Sequence, residues 1–223
     1  MYMNIRPQDN NFFISFPSSG QHLIERLFEE IYGYYLPTYY SYCEYYTCCK
    51  MIPCAHNKTF NKNHDMDCDL EIVDEYKYLV LYRGDVIRQL EAWWRWSKTS
   101  YKRSKTNIAW ELTKKIDYDD IEIFNQLFRH INNNQRYYFD FIEKWVHSNR
   151  SNCLVVEYYD FVKDPVSKLV QMLKFFNHID DVKEEDIRRI INDRDEKILI
   201  FGKNHLDKRI YNRIKNELID QMY

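Results

Sequence analysis

Ser18, Ser19 and Gly20 lie between two stretches of opposite character, and that position suits them to hold an anion. Before them Phe12, Phe13, Ile14 and Phe16 form a short apolar run that ends at Pro17. After them Leu23, Ile24, Leu27, Phe28 and Ile31 recur at helical spacing. Asn11 to Ile31 therefore reads as a strand, a tight turn and a helix N-terminus. At such a turn the free N–H groups and the positive end of the helix dipole converge, a chemistry that suits phosphate or sulfate. Gly20, one of four glycines in the chain, allows close backbone approach, and the serines add hydroxyls. The same residues also read as an ordinary strand-to-helix turn with a serine N-cap. A second candidate, the basic residue Arg83, follows a buried apolar run, Tyr76 to Tyr82 (YKYLVLY).

Six cysteines occupy positions 43, 48, 49, 54, 68 and 153, with His56 and His64 close to the first five. No C-x-x-C occurs among them, and structural zinc usually shows paired knuckles of that kind. The expectation is partly buried thiols and no metal.

These residues need elements to position them. The chain has 223 residues, 45% hydrophobic and 30% charged, which suits one globular domain over 1–223 with a substantial core. A net charge of −2 and a pI near 6.4 give no general footprint for nucleic acid, so a polyanion site has to be a local pocket. No stretch approaches the length of an apolar membrane span, and the N-terminus lacks a leader pattern, so a cytoplasmic protein is expected. The tyrosine-rich run Tyr32 to Tyr46 is expected to wall a groove or to pack amphipathically.

Tyr34 to Met51 shows no clean period, a short strand is expected near Met51 to Cys54, and Cys54 to Asp67 reads as a polar loop. Tyr76 to Tyr82 is a buried strand that leads through Arg83-Gly84-Asp85 into a helix reaching about Ser97. Lys102 to Lys115 is basic and ambiguous. Tyr118 to Val146 reads as two helical stretches separated at Asn132 to Asn134. Cys153 to Glu157 is another buried strand. Asp164 and Pro165 open a helix over Val166 to Phe176 as N-cap and first-turn proline. Shorter helices are expected at Glu184 to Asn192 and Leu206 to Met222. This order predicts an α/β domain with a mostly parallel sheet flanked by helices, in which ligands sit at the carboxyl ends of strands.

Four segments in this order resemble the sulfotransferase family. FISFPSSGQHLIERLF is similar to its phosphosulfate loop, which reads strand, Pro-Lys-Ser-Gly-Thr-Thr-Trp, helix. NKNHDMD, Asn61 to Asp67, resembles the Lys-Thr-His-Asp segment that carries the family's catalytic histidine. YKYLVLYRGD resembles the strand ending in the arginine that grips the donor's 3′-phosphate. VVEYYDFVKDPVSKLVQMLKFF is similar to the strand, Tyr-Glu-Asp-Leu, Asp-Pro and helix signature, and KEEDIRRIIND resembles the helix after it.

The resemblance covers residues 11–192 and implies a P-loop NTPase-like sulfotransferase fold. It implies 3′-phosphoadenosine 5′-phosphosulfate (PAPS) as donor and 3′-phosphoadenosine 5′-phosphate (PAP) as product. The acceptor would be the hydroxyl or amine of a small molecule or carbohydrate. It assigns His64 as base, Ser18, Ser19, Gly20, Gln21 and His22 to the phosphosulfate, Arg83 to the 3′-phosphate and Tyr158 to the nucleotide.

The chain departs from the family pattern at several points. Ser18 stands where the family has its loop lysine, with Lys58 and Lys62 as candidates to replace it. Gln21-His22-Leu23 replaces Thr-Thr-Trp. Glu91 replaces the serine eight residues past the arginine, a carboxylate expected to repel a phosphate, with Arg88 available to compensate. Phe201-Gly202-Lys203-Asn204 is the one candidate for the C-terminal Arg-Lys-Gly loop. A Walker A lysine is absent, which disfavours a kinase. The other reading is a protein of this fold that binds a nucleotide or partner with little turnover. Trp93, Trp94 and Trp96 cannot all face one core, so at least one is expected to line a groove.

Overall fold

A computed structural model describes residues 11–36, 40–44, 48, 53–56, 58–100, 116–179, 181–192 and 206–220. Two compact units make up the chain, one from residues 1–82 and 141–202 and the other from 83–140 and 203–223.

The first unit is built on β1 (Asn11–Ser15), β2 (Tyr42–Glu44), β3 (Phe60–Asn63), β4 (Lys77–Tyr82) and β5 (Cys153–Glu157). All four strand pairings are parallel, in the order β2-β3-β1-β4-β5. A strand inside a parallel sheet is covered on both faces, which is why NFFIS is buried at every position. Its side chains alternate between the faces. Phe13 stacks on Phe60 at 4.9 Å and meets Phe28 and Phe176 edge-on. Phe12 stacks on Tyr76 and Tyr78, and Tyr78 packs on Trp145.

Helix α1 (Gln21–Tyr35) buries Leu23, Ile24, Leu27, Phe28 and Ile31, the apolar stripe read from the sequence. Of the tyrosine-rich run, Tyr32 and Tyr40 pack on Phe60. Past β5 the chain continues into α4 (Tyr158–Lys163) and α5 (Pro165–Phe176), followed by α6 (Glu184–Asn192). Asp164 caps α5 by accepting from the Ser167 N–H, Pro165 begins the helix, and Asn177 ends it in the left-handed region. Glu157 caps α4 by accepting from the N–H groups of Tyr159 and Asp160.

The second unit contains α2 (Val86–Ser100) and α7 (Lys208–Asp220), and α3 (Ile121–Phe141) returns the chain to the first unit at its last residue. A π-helical turn, Ile142–Val146, continues α3. In the second unit Trp94 is buried, Trp93 packs on His130, and Trp96 stays exposed. The Arg213 guanidinium lies 3.6 Å over the Phe124 ring.

Several expectations need correction. Tyr34 to Met51 is not wholly irregular, because Tyr42–Glu44 forms the edge strand β2. Asn61, Lys62 and Asn63 are not loop residues but three of the four buried positions of β3. Their polarity hides the strand, since β-propensity scales reward apolar and branched side chains. Burial is tolerated because each polar group finds a partner. Asn61 accepts from the Cys54 N–H and donates to the Asn11 carbonyl, and Lys62 donates to Glu44 at 3.1 Å. Asn132 to Asn134 does not interrupt α3. Asn134 turns its amide back onto the His130 carbonyl at 2.7 Å, which keeps it within the helix. Met51 and Ile52 of the expected short strand, Lys102 to Lys115 and Phe201 to Asn204 lie outside the described residues.

Candidate functional site

The parallel register ends β3, β1, β4 and β5 on a common edge, since Ile14 pairs with Asn63, Ser15 with Leu81, and Tyr82 with Glu157. β1 lies between β3 and β4, and the chain passes from β3 on one side of it to β4 on the other, so the carboxyl end of β1 is a topological switch point, where open α/β sheets bind ligands. His64, Arg83 and Tyr158 each follow a strand end directly in sequence, and the Ser18–His22 segment follows β1.

The turn between β1 and α1 is held by its own backbone. The Ser19 N–H donates to the Phe16 carbonyl at 3.2 Å, and the Ser19 hydroxyl donates to the same oxygen. Both Ser19 donors therefore shape the turn. Ser18 (φ 67°) and Gly20 (φ 88°) occupy the left-handed region. For a serine that conformation costs about 1–2 kcal/mol. Gly20, not a serine, is the N-cap of α1, and no side chain caps it. An uncapped first turn directs its N–H groups outward, with the dipole behind them.

Gly20 is required for a second reason. A Cβ there would lie 2.1 Å from Cε2 and 2.4 Å from Cδ2 of Tyr158. The Tyr158 ring is buried against the turn, so two predicted site residues come together. The side chain of Gln21 turns inward, accepting from the Ser15 hydroxyl and donating to Tyr42 at 3.4 Å. The His22 imidazole is exposed and pairs with Glu25 at 3.1 Å.

His64 joins this turn. Its Nδ1–H donates to the Ser15 carbonyl at 2.7 Å, with the Ser15 hydroxyl at 3.2 Å. This bond selects the tautomer with the proton on Nδ1 and leaves a lone pair on Nε2. Burial pushes the imidazole down to about 4, against the opposing pull of the Ser15 carbonyl, so the ring is neutral at pH 7.

Asp65, the next residue, is a buried polar anchor that the sequence did not single out. Its carboxylate is fully buried and accepts from Lys144 Nζ at 2.7 Å, Trp145 Nε1 at 2.7 Å and the Leu70 N–H at 2.8 Å. The π-helical turn presents Lys144 and Trp145 together. Breaking such a buried pair costs about 3–5 kcal/mol. The sequence signal was the His64-Asp65 dipeptide, but its partners lie about eighty positions away.

The candidates to replace the loop lysine fare unequally. Lys62 is buried, with its ammonium 3.1 Å from Glu44 and 4.0 Å from Glu25. It is committed to neutralising carboxylates, so it is not a spare cation. Burial alone would raise the Glu25 carboxyl. The bond from His22, the Lys62 charge and the bond from Tyr42 outweigh it and hold the carboxyl below its usual value. Lys58 is half-buried.

In the second unit Arg83 is half-buried, and its carbonyl accepts from the Tyr138 hydroxyl at 2.6 Å. Glu91 is buried, bonded by Arg95 at 3.1 Å and by Tyr118. The repulsion expected of Glu91 is therefore offset inside its own unit. Arg88 pairs with Asp85 at 3.4 Å and covers the Tyr211 ring.

No protein-family model matches the chain, and neither does any curated protein. Solved structures do. Mouse sulfotransferase SULT7A1, solved in complex with PAP, is 18% identical with a TM-score of 0.57, and the match covers 95% of this chain and 82% of that one. Retinol dehydratase, solved with retinol and PAP, is 15% identical with a TM-score of 0.54 over 98% of this chain and 80% of that one. The same enzyme solved with androsterone and the inactive cofactor PAP gives 15% and 0.53 over 98% and 81%. The fold is that of the sulfotransferases.

Two predictions test the site's construction. In urea unfolding, Gly20→Ala should cost about 2–3 kcal/mol in the wild type, from the clash and the left-handed strain together. In a Tyr158→Ala background the same change should cost about 1 kcal/mol, because only the strain remains. Equal costs in both backgrounds would contradict the contact. The second concerns pH. The folded imidazole of His64 binds its proton near 4 and the unfolded one near 6.5, so the unfolded chain binds more protons between these values. That contribution to stability is complete above pH 6.5 and is lost on acidification toward pH 4. His64→Gln should remove up to about 3 kcal/mol of this pH dependence, and an unchanged slope would contradict the burial.

Proposed function

We propose that this protein is a sulfotransferase that moves a sulfuryl group from PAPS to a hydroxyl or amine of a small-molecule or carbohydrate acceptor. We propose further that residues 1–223 act as one domain, in the cytoplasm. The observation that carries the reading is the bond between His64 Nδ1 and the carbonyl of Ser15. It ties a neutral base to the strand that leads into an uncapped helix N-terminus. The solved structures of this fold support it, since mouse SULT7A1 and retinol dehydratase were both solved with PAP.

The residues present fit an anionic donor. Gly20, Gln21 and His22 offer backbone N–H groups and the helix dipole to the 5′-phosphosulfate. Ser19 holds the turn's shape, and Tyr158 fixes Gly20. Arg83 grips the 3′-phosphate through a charge-assisted contact. His64 Nε2 takes the acceptor's proton as the acceptor oxygen or nitrogen bonds to sulfur and the bond from sulfur to the phosphate oxygen breaks. The N–H groups at the turn then stabilise the charge gained by the departing phosphate. Ser18 supplies a neutral hydrogen bond in place of a lysine's charge. No metal takes part in these steps. Among the described residues no helix is long and apolar enough to cross a membrane.

A second reading has its own observation. Lys62 is held by Glu44 and Glu25, so that lysine does not replace the missing loop cation. A protein of this fold that binds PAP with little turnover fits that fact.

Calorimetric titration with PAP tests the shared part. Wild type should bind in the micromolar range, and Arg83→Ala should bind about ten- to a hundred-fold more weakly. No binding by wild type would overturn both readings. Turnover with PAPS over an acceptor panel then separates them. The active enzyme should lose about a hundred-fold or more in kcat on His64→Gln, whereas binding without turnover in wild type supports the second reading.

A further inference from the structure

The cysteines lack the spacing of paired knuckles, yet folding brings three of them together. The Sγ atoms of Cys43, Cys48 and Cys54 all lie within 4.8 Å of one another. Cys43 and Cys54 are buried, and Cys48 is exposed. None of the three enters the chemistry proposed above.

Each is fixed by the sheet edge. Cys43 is the central residue of β2, paired in register with Asn61 of β3. The Cys48 N–H donates to the carbonyl of Glu44, the last residue of β2, at 2.9 Å. The Cys54 N–H donates to Asn61 Oδ1 at 3.0 Å. The Cys54 sulfur in turn accepts the His56 N–H at 3.4 Å. A backbone N–H directed at sulfur is the kind of outer contact that orients a thiolate ligand and balances its charge.

We propose that Cys43, Cys48 and Cys54 form a binding site for a zinc ion, with the fourth position taken by water or another small ligand from solution. The distances suit that ion. Zinc–sulfur bonds of about 2.3 Å in a tetrahedron set sulfurs about 3.8 Å apart, and the sulfurs of Cys48 and Cys54 are 4.0 Å apart. Three soft thiolates favour zinc over magnesium or calcium, which prefer oxygen ligands. On binding, each coordinating thiol releases its proton to solvent, and no electron is transferred. The site would fasten the segment between β2 and β3 at both ends, and β3 leads directly into His64.

Elemental analysis of protein purified without chelator, joined to cobalt(II) substitution, tests the proposal. Wild type should carry about one zinc per chain. After removal of zinc, cobalt(II) should give the near-ultraviolet thiolate charge-transfer band and the intense visible bands of a tetrahedral site. Cys48→Ser, at an exposed position, should weaken zinc at least ten-fold in competition with a chromogenic chelator, as should Cys43→Ser and Cys54→Ser. Cys153→Ser should bind like wild type. Circular dichroism identifies any variant that fails to fold, and the wild-type cobalt spectrum does not depend on the variants. Absence of zinc together with absence of the cobalt charge-transfer band would overturn the proposal. So would wild-type affinity in any one of the three variants. A mass two hydrogens lighter, locating a Cys48–Cys54 disulfide in protein prepared under reducing conditions, would overturn it as well.

Discussion

Five residues, 16–20, carry the chain from the end of β1 to the start of α1, and the site depends on how they do it. The turn doubles back through two left-handed residues, and both the N–H and the hydroxyl of Ser19 donate to the Phe16 carbonyl. This leaves α1 without a side-chain cap. Most helices satisfy their first N–H groups with a neighbouring serine or aspartate, as α5 does with Asp164 and α4 with Glu157. Here the adjacent serine is used to build the turn, and the helix end stays open to an anion. The Tyr158 ring against Gly20 fixes the arrangement, because any side chain at position 20 would displace it.

Around this turn the polar groups are satisfied with few surplus charges. Glu25 gathers His22, Tyr42 and Lys62. Asp65 gathers Lys144, Trp145 and the Leu70 N–H. These carboxylates tie α1, β3 and the segment after β3 to their neighbours. The same economy explains why Lys62 does not supply the missing loop charge.

Much of this was legible from residues alone, because the elements that matter are apolar and bounded by strong signals. The stripe of Leu23, Ile24, Leu27, Phe28 and Ile31 gave α1, CLVVE gave β5 to the residue, and Asp164-Pro165 gave the start of α5. What escaped reading was polar and long-range. β3 is written Phe-Asn-Lys-Asn, and only its partners on β1 and β2 make it a strand. The role of Ser19 depends on a carbonyl three residues back, and that of Asp65 on a π-helical turn whose existence no local pattern announces. The three cysteines meet because β2 and β3 pair, which their spacing does not encode.

In the proposed function the N-terminus of α1 receives the anionic end of a nucleotide beside His64. Amide chemical shifts followed during titration with PAP address it residue by residue. Gly20, Gln21 and His22 should move first and saturate together, with the His64 ring resonances following. Saturable shifts elsewhere, with these three amides unmoved, would contradict binding at this helix end.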